Sequence, residues 1–270
     1  GSAGHGRMGS GHRDERGKVM EKLRLLDLFS GIGGFSLGLE RSGAFRTVAF
    51  CEIEPFCRRV LEKHWPGVRC YEDIRTLSGE VLKSDGVHVD AICGGFPCQD
   101  TSIAGPGGGL AGERSGLWWE YARLVRELRP TVIFVENVAE LLARGMGDVL
   151  GSLAALGYNI EWHCIQAARV GARHIRDRVW IVAYSGRDRL EGPIQIGDRI
   201  KASLIEDWRA SARTAFAGPV EGWAAEPAFL GSDDDVPAWM DRIRSLGNAV
   251  VPQIPELLGR AYAQAMLRQV

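Results

Sequence analysis

With 270 residues, 45% of them hydrophobic, the chain can bury a full α/β domain plus a small appendage, which excludes a peptide-like or wholly disordered protein. Its formal net charge of −1 excludes a global attraction to nucleic acid, so any such partner must be held by local patches. No uninterrupted apolar run reaches the roughly 18 residues of a membrane span, and the N-terminus lacks the order of a secretion signal, so a soluble, intracellular protein is expected.

Residues 1–19 combine Gly, Ser, Arg and His without apolar periodicity and read as a disordered leader or tag, with Met20 or Met8 as the natural start. From Leu23 onward, short apolar runs alternate with amphipathic stretches: a strand at 25–29 and a helix at 35–39, then a strand at 47–51 and a helix at 56–64. Further strands are predicted at 89–93, 131–135 and 179–183. Helices are predicted over 117–128, punctuated by Pro130, and over 148–156, ended by Gly157. Such alternation implies βαβ units and a doubly wound, mostly parallel sheet. From Tyr184 to about Ala225 the pattern decays into polar sequence, and helical periodicity resumes at 236–244 and 255–267. The division expected is a leader at 1–19, a catalytic domain at 20–183, a short variable module at 184–235, and helices at 236–270 that return to the main domain.

The six cysteines, Cys51, Cys57, Cys70, Cys93, Cys98 and Cys164, lack the spacing of a disulfide framework and are read as reduced thiols. No CxxC pair is present, so a structural metal site is not expected. Arg169, Arg173, His174, Arg176 and Arg178 crowd one segment, whereas the basic residues beyond Arg187 are interleaved with acids and read as a solvated surface.

The first strand runs into Asp27-Leu28-Phe29-Ser30-Gly31-Ile32-Gly33-Gly34-Phe35, a glycine turn that opens a helix, where a nucleotide-like ligand meets backbone N–H groups. Ser36 occupies the position of the third glycine of a dinucleotide fingerprint, which favours a ligand without phosphates. Glu52, about 20 residues on at the end of the second strand, is placed to accept hydrogen bonds from ribose hydroxyls.

A central strand leads to Gly94-Gly95-Phe96-Pro97-Cys98-Gln99, setting a thiol at a strand's carboxyl end with Pro97 restricting the backbone before it. The glycine-rich stretch that follows lacks the ending of a phosphate-binding loop and reads as a lid over 100–114. Glu136-Asn137-Val138 follows another strand, and Arg176-Asp177-Arg178 precedes the strand at 179–183. A thiol, a carboxylate and two guanidiniums are thus expected in one crevice.

These motifs, with Gly247-Asn248-Ala249-Val250-Val251-Pro252, resemble in content and order the cytosine-5 DNA methyltransferase family, in its prokaryotic or phage form with a short target-recognition region. The resemblance implies a Rossmann-like S-adenosylmethionine-dependent fold that releases S-adenosylhomocysteine. It places Phe29, Ser30, Gly31, Ile32, Gly33 and Gly34 around the methionine part of the cofactor and Glu52 at its ribose. Ile53, Asp73 and Ile74 would line the adenine, with Asn248 and Val250 returning to the same pocket. It assigns Cys98 as the nucleophile that adds to C6 of a flipped-out cytosine, Glu136 to the N3 and N4 edge, and Arg178 to O2, with Arg176, Asn137 and Pro97 orienting them.

Implied further are duplex DNA as the partner, no metal, no membrane, a monomer, and a place in a prokaryotic cytoplasm, phage-encoded proteins included, in restriction-modification or related DNA methylation. His174 stands where the family has a glutamine, and the short variable module implies a short or relaxed recognition site. Two rivals remain: a tRNA-type cytosine-5 RNA methyltransferase, against which Phe96 and the Gly247 to Val250 motif speak, and a catalytically silent DNA-binding relative, against which intact Cys98, Glu136 and Arg178 speak. Zinc hydrolase and nicotinamide oxidoreductase readings lack ligand spacing and the third glycine respectively.

Overall fold

The computed structural model describes residues 21–97, 116–170, 177–185 and 249–267. Seven strands form one sheet: β1 (Leu23–Leu28), β2 (Phe45–Cys51), β3 (Arg69–Tyr71), β4 (Ala91–Gly94), β5 (Val132–Val138), β6 (Tyr158–Gln166) and β7 (Asp177–Ser185). Their order across the sheet is β3-β2-β1-β4-β5-β7-β6. The first five run parallel, while β7 lies antiparallel to both β5 and β6. This is the Rossmann-like, mostly parallel architecture expected from the alternating pattern.

Helices α1 (Gly34–Arg41), α2 (Pro55–His64), α3 (Gly79–Ser84), α4 (Leu117–Leu128), α5 (Met146–Ala155) and α6 (Gln253–Leu267) cover the sheet. Pro55 opens α2 at a position where its missing N–H costs nothing, and the Ser78 hydroxyl caps α3 by accepting from Val81 N–H at 3.2 Å. One face of the sheet buries Leu26, Leu28, Ile92, Ile133 and Val135 under Trp118, Tyr121 and Val125 of α4 and Val149 and Leu153 of α5. The other buries Leu25, Phe45, Phe134 and Trp180 under Phe35 and Leu39 of α1 and Ile254, Leu258 and Tyr262 of α6. Trp118 stacks on Tyr121 with ring centres 5.3 Å apart, and each such fully buried large side chain contributes about 2–3 kcal/mol of transfer free energy.

Helices α1 and α6 touch through glycine. A β-carbon on Gly38 would lie 2.2 Å from the carbonyl oxygen of Pro252, so only glycine lets the segment leading into α6 come this close. Residues 249–267 thereby pack on the first βα unit.

The predicted strands differ from the observed ones mainly at their polar ends. β5 does not stop at Val135 but continues through Glu136 and Asn137 to Val138, and β7 begins at Asp177 rather than Val179 and ends at Ser185. The ladder explains both: Glu136 pairs with Trp180 and Val138 with Arg178, so antiparallel pairing holds these polar residues in the strands. Tyr184 and Ser185, assigned from sequence to the variable module, belong to β7. The helix predicted at 148–156 runs from Met146 to Ala155. The leader, the lid, the helix at 236–244 and the rest of the variable module lie outside the described residues. Among the described residues, no helix is long and apolar enough to cross a membrane.

Candidate functional site

The strand order reverses between β1 and β4: from β1 the chain winds outward to β2, and from β4 outward to β5. In such sheets the carboxyl ends at the reversal flank a crevice where ligands bind. The glycine turn leaves β1, the segment from Gly95 to Pro97 leaves β4, and Glu136 stands toward the end of β5.

The turn is built by positive φ angles at Phe29 (53°), Gly31 (53°) and Gly33 (87°). At Gly31 a β-carbon would meet nothing within 4 Å among the described residues, which leave this edge of the turn open. At Gly34 it would lie 2.3 Å from the carbonyl oxygen of Val250, so the returning segment forms a wall against the start of α1. The Trp65 ring closes the remaining side under Gly33, with its indole N–H donating to Glu40 at 3.0 Å. Ser30 is buried and its hydroxyl donates to the Asp27 carbonyl at 2.6 Å.

Glu52, buried at the end of β2, ties its strand to the turn. Its Oε2 accepts from Gly31 N–H at 2.6 Å and its Oε1 from Glu54 N–H at 2.9 Å. Ile53 beside it is 55% exposed, an apolar surface available to a ligand. Ile74 is instead buried in the core, and the Asp73 carboxylate is gripped by the Arg75 guanidinium at 2.7 to 3.0 Å, which holds it below the usual carboxylate range. Phe29 packs, half-buried, against the same core, and Ile32 sits within the turn.

At the other side of the crevice, Glu136 continues the row of Val132 and Phe134 that faces α1 and α6, because side chains two apart share a face. Its Oε1 accepts from the Arg178 Nε–H at 2.9 Å, with the two side chains only 10% and 22% exposed. Arg178 also donates to the Asp177 carbonyl at 2.8 Å. Asn137, on the opposite face and buried, donates from Nδ2 to the Phe96 carbonyl at 3.0 Å, fixing the backbone just before Pro97. Pro97 is the last described residue of that segment, so Cys98 lies outside the described residues, as do Arg176 and Asn248.

The structure therefore brings Glu136 and Arg178 into direct contact, sets Asn137 under the Phe96-Pro97 segment, and joins Gly31, Gly34, Glu52 and Val250 around one turn. Sequence reasoning missed the packing of Gly95, where a β-carbon would lie 2.7 Å from Glu136 Oε2; a second glycine at a strand end was the available signal. It also missed Trp65, whose position outside any motif gave none.

A family model described as C-5 cytosine-specific DNA methylase matches residues 23–208. The type II methyltransferase M2.BsuMI of Bacillus subtilis is 37% identical over 169 residues, covering 60% of this chain and 42% of that protein. M.HhaI of Haemophilus parahaemolyticus is 29% identical over 199 residues, covering 70% and 59%. The chain thus aligns with about half the length of these relatives. Among solved structures, a protein of an Escherichia coli prophage, described as a candidate DNA modification methyltransferase, superposes with a TM-score of 0.54 at 26% identity, covering 65% of this chain and 50% of that one. A DNMT2 variant from Spodoptera frugiperda shares the fold, with a TM-score of 0.52 at 22% identity over 61% of this chain and 50% of its own.

Proposed function

The chain belongs to the C-5 cytosine-specific DNA methylase family, and from that premise we propose that it transfers a methyl group from S-adenosylmethionine to C5 of cytosine in duplex DNA. The observation that carries this reading is the Glu136–Arg178 pair at 2.9 Å beside the Gly95 to Pro97 segment that delivers Cys98.

The residues present fit an S-adenosyl ligand. The described residues leave the turn open at Gly31, Glu52 supplies a buried acid at the end of β2, and Ile53 offers an apolar surface beside it. Phe29, Ser30, Gly31, Ile32, Gly33, Gly34 and Val250 would enclose the methionine part, joined by Asn248 from the same returning segment. Asp73 and Ile74 contribute through the backbone and the packing that set the far wall. When bound there, S-adenosylmethionine supplies an electrophilic methyl group on a sulfonium.

C5 of cytosine is a weak nucleophile, and the chain's own residues would make it stronger. The Cys98 thiolate adds to C6 while N3 gains a proton held by the Glu136 carboxyl, and the electron pair moves toward C5. Arg178 would hydrogen-bond the O2 oxygen as charge builds on it, with Arg176 assisting. Asn137 steadies the strand-end backbone, and Pro97 aims the thiol. After methyl transfer, a base takes the C5 proton, the thiolate leaves C6 and the N3 proton returns to the Glu136 carboxylate, which restores the aromatic ring.

Because C6 is shielded in a stacked duplex, the target base must leave the helix, at a cost of about a few kcal/mol. Residues 184–235, apart from the end of β7, would read the sequence around it. We place the working enzyme as a cytoplasmic monomer on DNA, in a restriction-modification setting or a related one.

Incubation with S-adenosylmethionine and unmethylated DNA, followed by mapping of methylated cytosines, tests the reaction and its specificity together. A parallel incubation with tRNA separates the RNA reading. The reading predicts 5-methylcytosine in duplex DNA and its loss in Cys98→Ala; methyl transfer that survives this substitution overturns the covalent mechanism.

A further inference from the structure

The most deeply buried carboxyl among the described residues stands directly behind the glycine turn. Asp27, next to last in β1, is fully buried. Its Oδ2 accepts from both donors of Ser36, the backbone N–H at 3.3 Å and the hydroxyl at 2.7 Å, while Oδ1 is buried without a conventional hydrogen bond. Ser36 lies in the first turn of α1, two residues beyond Gly34, so this grip spans the turn from beneath.

Among the described residues, no cation is bonded to Asp27. Its register partner on β4 is Cys93, whose thiol lies beside the carboxyl, and Glu52, another acid, acts on it from the end of β2. Glu40 of α1 acts on Cys93 from the same side, while Tyr121 of α4, across the sheet, and Cys51 and Cys70 of β2 and β3 lie within the field of the pair. For packing alone, an apolar side chain would serve here at lower cost.

We propose that Asp27 is a positioning residue whose hold on Ser36 keeps the glycine turn in the shape that binds the cofactor, a role that rests on the reading of that turn given above. Burial pushes the Asp27 carboxyl up to about 7, against the opposing pull of the Ser36 hydrogen bonds. Both forms are therefore populated near neutrality. Hydrogen bonds to an ionised acceptor are roughly twice as strong as neutral ones, so the ionised form grips Ser36 harder. A ligand that needs the ordered turn then binds better to the ionised form. Binding tightens as pH rises through about 7, and releases a proton when it occurs below that point.

The test is calorimetric binding of S-adenosylhomocysteine from pH 6 to pH 8 in buffers of different ionisation enthalpy, with the full chain, Asp27→Asn and Ser36→Ala. Wild type should bind about fivefold tighter at pH 8 than at pH 6, the effect over that range of lowering one pKa from about 7 by about one unit on binding, with net proton release at the lower end. Asp27→Asn, which keeps the shape and cannot ionise, should bind as weakly as wild type at low pH, with a flat profile. Ser36→Ala should move the midpoint to higher pH, a readout available even if Asp27→Asn fails to fold. A pH profile and proton release unchanged in either variant overturn the positioning role. Failure of the wild type to bind any S-adenosyl compound overturns the cofactor reading instead.

Discussion

Where Gly95 has no side chain, Glu136 puts its carboxylate: a β-carbon on residue 95 would lie 2.7 Å from Oε2. The two residues sit on adjacent parallel strands or just beyond them, so the space left by one determines the rotamer open to the other. Gly95→Ala should therefore displace the end of a flexible side chain and leave the backbone in place. A misplacement of about 1 Å at a reacting group costs on the order of 100-fold in rate. Methylation assays should show that loss while the melting temperature stays within a few degrees of wild type; an equal fall in both would mean that Gly95 serves the fold alone.

The Glu136–Arg178 ion pair gives a second expectation. Removing one partner takes an opposite charge away from a group that is largely buried, which costs about 3–5 kcal/mol when desolvation is complete. The residual exposure of Arg178 places Glu136→Gln toward or below the lower limit of that range. A double-mutant cycle of Glu136→Gln with Arg178→Met, read by urea unfolding, should return a coupling of about 1–3 kcal/mol. Additivity would show that the pair is not formed in solution.

Asn137→Ala removes the hydrogen bond that its side-chain amide donates to the Phe96 carbonyl across the strand ends. Loss of this bond at a buried residue should cost about 1–3 kcal/mol. Urea titration measures the loss. Increased reactivity of Cys98 toward a maleimide in the variant would report loosening of the Phe96-Pro97 backbone.

Asp27 also ties stability to pH. Its folded value of about 7 lies above the ordinary 3.8, so the native state holds the proton more tightly than the unfolded chain. The contribution is complete below the unfolded value, is lost as pH rises through the folded one, and amounts to a few kcal/mol over that interval. Asp27→Asn should gain on wild type as pH rises from about 4 to above 7. Unfolding curves at pH 5 and pH 8 check this, and a variant that loses ground at pH 8 contradicts the sign.

Gly34→Ala sets a β-carbon 2.3 Å from the Val250 carbonyl oxygen, where backbone faces backbone and neither can step aside cheaply. Destabilisation of about 1–3 kcal/mol is expected, with weaker binding of S-adenosylhomocysteine. Thermal denaturation with and without ligand measures both. Unchanged affinity would remove Val250 from the candidate cofactor wall.

Much of this architecture was legible because apolar period and glycine placement agree. Leu117–Leu128 has the predicted helical bounds, and the turn from Phe29 to Gly34 follows a strand and opens a helix as the motif requires. Three elements left little trace. β3 has three residues, α3 has six, and β6 carries Asn159, Glu161 and His163 along an edge strand with exposed Trp162 opposite, so no clean alternation marks it. The strand assignments of Glu136 and Arg178 were missed because polarity at a strand end reads as a loop; only the antiparallel ladder between β5 and β7 shows otherwise. The Asp27–Ser36 grip was invisible because a buried acid and an exposed one are the same letter.

The contact between Gly34 and Val250 has an implication for biosynthesis. A ribosome releases the first βα unit more than 200 residues before it makes the segment that walls it, so the nascent chain carries the glycine turn with one side open until Val250 has emerged. Ligand capture should wait for that segment, and chains that stall before α6 should be poor at retaining an adenosyl compound however well their central strands have paired.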